Sequence, residues 1–108
     1  IHISDLVDGH IKALNFLNKN NEKSAGFTAI NLGTGNGTSV LELIAAFEKA
    51  SGKKVPYALV ERRAGDIGTC YADTHLAKEL LGWQAQKDIN QMCQDTWNWQ
   101  MKNPNGYQ

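Results

Sequence analysis

The sequence has little cysteine, no excess of either charge and no long hydrophobic run. Two cysteines in 108 residues cannot build a disulfide framework. Cys70 and Cys93 form no CxxC pair, and with His2, His10 and His75 they show no metal-ligand spacing. Reduced thiols, no metal and a cytoplasmic location are therefore expected. Eleven Lys and Arg balance eleven Asp and Glu, which argues against a general polyanion binder, so nucleic acid is not expected as a partner. No apolar run approaches the length of a membrane span. The opening IHISDLVDGH lacks the basic region and apolar stretch of a signal peptide, but it starts abruptly in apolar residues, as if the chain were cut there. There is no internal repeat, low-complexity tract or linker.

What is present reads as alternating helices and short extended segments. Ser4 or Asp5 can cap a helix through Leu6, His10, Ala13, Leu14 and Leu17. Its apolar residues, including Val7, Ile11 and Phe16, cover more than one stripe, so this helix wants two partners. The polar stretch NKNNEKSAG, residues 18–26, reads as a surface loop, and FTAINL, residues 27–32, as a strand. Ser39 and Glu42 fit a capping box for a helix that continues to Ala50 and stops at Gly52, with Lys49, Lys53 and Lys54 near its negative end. VPYALVE, residues 55–61, reads as a second strand and YAD, residues 71–73, as a short extended piece. Asp73 or Thr74 caps a helix over residues 76–81, ended by Gly82, with Trp83 placed to fold back onto it. Asp88 and Gln91 fit another capping box, opening a helix with Ile89, Met92, Cys93, Thr96, Trp97 and Gln100 on one face. Trp97 and Trp99 cannot share a face. Two strands joined by a helix predict an α/β fold with a parallel βαβ crossover and two C-terminal helices.

Two stretches could carry chemistry. In NLGTGNGTSV, residues 31–40, glycines precede a helix, and backbone N–H groups there can hold a phosphate. Glu61, at the end of the next expected strand, stands where a dinucleotide fold puts its ribose-binding acid. The spacing Gly33-x-Gly35-x-Gly37 matches neither G-x-G-x-x-G nor a P-loop, so a tight strand-to-helix turn is the competing reading. In RRAGD, residues 62–66, a guanidinium fork suits a phosphate and a carboxylate suits two vicinal hydroxyls. A solvated turn with a paired arginine explains the same residues.

The segments IHISDLVDGHIKAL, INLGTGNGTSVLELI, EKASGKKVPY, RRAGDIGTCYAD, LGW and MCQDTWNWQMKNPNGY, in this order, resemble the C-terminal third of the UDP-glucose 4-epimerase family, within the extended short-chain dehydrogenase/reductases. The resemblance implies that residues 1–108 are a UDP-sugar-binding portion of an isomerase that interconverts UDP-galactose and UDP-glucose. In that family NAD sits in an N-terminal Rossmann domain, and the sugar passes through a 4-keto intermediate with a tyrosine of Tyr-x-x-x-Lys as base. Neither GxxGxxG nor Tyr-x-x-x-Lys occurs here, since Tyr57 is followed by Glu61 and Tyr71 by His75 at the lysine position. The implied catalytic and cofactor-binding residues are none, and the chain alone is expected to be inactive.

The family match makes the glycine turn an architectural corner. It assigns Arg63 to the UDP diphosphate, Asp66 to the uridine ribose hydroxyls and Cys70 to the wall beside the sugar. A cysteine there leaves room for UDP-N-acetylhexosamines. A homodimer is implied for the whole enzyme. The rival readings are another nucleotide-sugar reductase of the same superfamily and a non-catalytic nucleotide-binding module.

Overall fold

The computed structural model describes residues 1–19 and 27–107; most of the loop expected over residues 18–26 lies outside them. Among the described residues four helices form: α1 (Ile3–Lys19), α2 (Val40–Ser51), α3 (His75–Leu81) and α4 (Ile89–Lys102). The chain divides into two compact units, one of residues 1–36 and 71–88, the other of residues 37–70 and 89–108.

In the first unit α1 packs on α3. The helix begins at Ile3, ahead of both expected caps, which therefore lie inside its first turn. His2 is the capping residue instead: its carbonyl accepts from the Leu6 N–H at 3.0 Å and its Nδ1 from the Ser4 N–H at 3.1 Å. Asp5 is thereby freed for a tertiary task. It is buried, and its Oδ2 accepts from the backbone N–H groups of Gln86 (3.0 Å) and Lys87 (2.9 Å). Trp83 is buried to 1% exposure, with its indole Nε1–H donating to the Asp5 carbonyl at 3.0 Å. The fold-back that delivers it is the one expected at the end of α3. Gly82 takes φ 58°, its N–H donates to the Ala77 and Lys78 carbonyls, and the Trp83 N–H also donates to Ala77. At the other end of α3, Asp73 rather than Thr74 supplies the side-chain acceptor, taking the His75 N–H at 2.9 Å.

In the second unit α2 packs on α4. The rings of Phe47 and Trp97 meet edge to face, with centroids 6.0 Å apart and planes at 85°. Ala46 and Cys93 are buried, and burial pushes the Cys93 thiol pKa up. Gly52 ends α2 at φ 67°. Beyond it Glu48 ties the chain back, its Oε1 accepting from the Val55 N–H (2.9 Å) and its Oε2 from Lys54 Nζ (3.0 Å). Lys53 Nζ lies 5.7 Å from the centre of the Trp97 ring. Trp99, on another face of α4, is half exposed.

The expected strands over residues 27–32 and 55–61, and the extended piece over 71–73, form no ladder among the described residues, so the βαβ crossover is not formed there. The reason is physical. An extended segment becomes a strand only when its N–H and C=O groups pair with a neighbour, and alternation of apolar residues does not supply one. Phe27, Leu59 and Val60 are instead 93%, 81% and 86% exposed.

Candidate functional site

The capping box at the start of α2 decides the character of the glycine turn. The Ser39 hydroxyl accepts from the Glu42 N–H at 3.2 Å, and the Glu42 carboxylate accepts from the Ser39 N–H at 2.7 Å. That backbone bond, reinforced by the Ser39 hydroxyl at 2.8 Å, holds the Glu42 carboxyl below its ordinary pKa. The helix end thus carries its own anion where a phosphate would have to sit. The preceding glycines answer to geometry rather than to a ligand. Gly35 takes φ 75°, and a Cβ on Gly33 would lie 2.6 Å from the Ala72 Cβ. Thr34 and Asn36 close the turn through the Asn36 N–H to the Thr34 hydroxyl at 3.2 Å. The Glu42 carboxylate disfavours a second anion at this helix end, and the glycine spacing is not that of a dinucleotide loop.

The RRAGD stretch forms a tight turn. The Asp66 N–H donates to the Arg63 carbonyl at 3.2 Å, and Gly65, third in the turn, takes φ 88°, a conformation that favours glycine. The turn brings Arg63 and Asp66 together. Arg63 Nη2 lies 3.4 Å from Asp66 Oδ1, Nε lies 3.5 Å from Oδ2, and the Arg63 backbone N–H donates to Oδ2 at 3.2 Å. The Arg63 side chain is 87% exposed and that of Asp66 38%, so the pair faces solvent. The Arg62 guanidinium reaches over the Gly68 backbone, both terminal nitrogens 3.9 Å from where a Cβ would stand.

Cys70 is exposed and lines a cavity of about 590 Å³, made by residues 67–70 and by residues 37–40 and 42 at the start of α2. Arg63 and Asp66 are not in its lining. Sequence reading had not brought the glycine turn and Cys70 to one cavity, because nothing local links residues so far apart. Among the described residues no three His, Cys, Asp or Glu side chains gather as a metal site, and no helix is long and apolar enough to cross a membrane.

No family model matches the chain. Solved structures that resemble it are UDP-glucose 4-epimerases. The Bifidobacterium longum UDP-glucose 4-epimerase, solved with NAD+ and UDP, matches 99% of this chain with a TM-score of 0.85 and 47% identity, over 30% of its own chain. The chain is 61% identical over 107 residues to the UDP-glucose 4-epimerase of Drosophila melanogaster and 55% identical over 108 residues to that of Bacillus subtilis. Each alignment takes in 99% of this chain and 30% of the relative. From end to end, then, the sequence is homologous to a stretch of the UDP-glucose 4-epimerases and spans about 30% of their length.

Proposed function

We propose that the chain is the C-terminal, UDP-sugar-binding portion of a UDP-glucose 4-epimerase that interconverts UDP-galactose and UDP-glucose with NAD bound elsewhere in the protein. The identity of 61% over nearly the whole chain carries this reading. The missing Tyr-x-x-x-Lys and the carboxylate seated on α2 agree with it, since both the base and the cofactor cradle must then come from residues outside this stretch. NAD supplies the hydride exchange in such an enzyme; what this chain contributes is a hold on the nucleotide. The segments over residues 27–32 and 55–61 would find their ladder partners in a sheet completed by the rest of the protein, which restores the α/β crossover. We also assign a homodimer and a cytoplasmic location to the whole enzyme. The two free thiols suit the latter.

In this reading Arg63 contacts the diphosphate, Asp66 accepts from the ribose hydroxyls and Cys70 stands beside the sugar. The turn at Gly65 supports the first two roles by aiming both side chains from one tight bend. The cavity at Cys70 supports the third, and a small thiol there would admit an N-acetylated sugar. Calorimetry with UDP on the whole enzyme is the test. Arg63→Ala is expected to cost about 1.5–3 kcal/mol, the scale of a charge-assisted hydrogen bond, and Asp66→Asn less, because an amide still accepts one bond. Unchanged affinity in Arg63→Ala would return the turn to a plain solvated loop.

A further inference from the structure

The two residues assigned to the nucleotide hold each other. Asp66 takes Arg63 side-on, one oxygen facing Nη2 and the other Nε, and the same Oδ2 accepts the Arg63 backbone N–H. A diphosphate needs the donor fork that Asp66 occupies, and ribose hydroxyls need the carboxylate oxygens that Arg63 occupies. The turn that brings the side chains together is closed by its own backbone bond and by Gly65, so it persists when the side chains part. We infer that the Arg63–Asp66 pair is an autoinhibitory contact which a nucleoside diphosphate displaces: diphosphate takes the guanidinium from Asp66, and the released carboxylate takes the ribose. This rests on the assignment of the turn to the UDP site.

A bare diphosphate then pays for breaking the pair and recovers nothing from Asp66, whereas a nucleoside diphosphate engages both partners. The device discriminates against phosphate and pyrophosphate, which would otherwise compete for an exposed arginine. Because the pair faces solvent, its strength is that of a surface ion pair, and the effect on affinity is correspondingly small, about two- to five-fold.

The test uses the whole enzyme at low salt with two probes, UDP and inorganic pyrophosphate. Asp66→Asn removes the charge and keeps an acceptor for the Arg63 N–H, so the turn survives. It is expected to tighten pyrophosphate about two- to five-fold while weakening UDP. The gain must vanish in an Arg63→Ala background, because the competition runs through that guanidinium. No gain in Asp66→Asn, or the same gain with and without Arg63, overturns the inference; the latter would mean a general loss of negative field. Failure of the site assignment itself has a separate signature, UDP binding that ignores Arg63→Ala.

Discussion

Replacing Trp83 would test the packing that holds the first unit together. The indole is 1% exposed, which is unusual for so large a side chain, and its only polar atom is matched to the Asp5 carbonyl at 3.0 Å. Burying a tryptophan removes about 150–250 Å² from water. At about 25 cal/mol per Å² that contributes about 4–6 kcal/mol. Truncation to alanine leaves a cavity beside Gly9, where an added Cβ would stand 3.3 Å from Trp83 Cε2, and should cost about 3–5 kcal/mol. Trp83→Phe keeps much of the ring but loses the indole donor, about 1 kcal/mol, and part of the area, for a total of about 2 kcal/mol. Against a usual domain stability of about 5–15 kcal/mol the alanine variant is close to unfolding. Urea denaturation followed by far-UV circular dichroism gives the ranking, and amide exchange in α1 and α3 locates the loss. An alanine cost below about 1 kcal/mol, or unchanged exchange in both helices, would refute the assignment of Trp83 as the centre of this packing.

Other consequences follow from the same contacts. Cys70→Tyr adds a ring beside the proposed sugar position, and overpacking of about 1–3 kcal/mol should fall mainly on N-acetylated substrates; equal losses for both sugars would show that Cys70 does not face the sugar. Glu42 is held below its ordinary pKa by the Ser39 N–H, and Glu48 by the Val55 N–H and then Lys54, so each stabilises α2 fully above about pH 4.5 and loses that effect as pH falls through its lowered value. Carboxyl titration by NMR should place both midpoints below the ordinary value, and a midpoint at or above it in either would contradict the bond assigned there. The exposed Phe27, Leu59, Val60 and Ile67 predict that this chain alone self-associates. Analytical ultracentrifugation returning a monomer over a wide concentration range would argue that these residues need no cover.

Helix ends were the most legible part of the fold because their signals are local. Ser39 and Glu42 form the expected box, Gly52 and Gly82 adopt the left-handed stop, and Trp83 folds back as its position after Gly82 implies. The start of α1 was misplaced because a second acceptor, His2, precedes the better-known capping types. Asp5 looked like a cap and turned out to hold residues 86 and 87, a partnership no window of sequence can contain. The extended segments were legible as pattern but not as strands, since pairing is a property of two segments and a single window shows only one. At the candidate site, the spacing of Arg63, Gly65 and Asp66 left two readings open, a ligand clamp and a solvated turn with a paired arginine, and which of them applies depends on what else meets the turn. The cavity shared by Cys70 and the start of α2 was not foreseeable, as it depends on how residues 67–70 return to that helix.

Gly33 and Ala72 share space for a single methyl group. A second one would stand 2.6 Å from the first, well inside the roughly 3.5–4.0 Å at which carbon atoms rest against each other. The two positions therefore vary as one. Alanine at 33 is compatible with glycine at 72 and not with the residue now there, so a change harmless in one sequence background is a collision in another. Mutational tolerance measured singly at these sites understates what the pair can accept together, and overstates what either can accept alone in an altered neighbour.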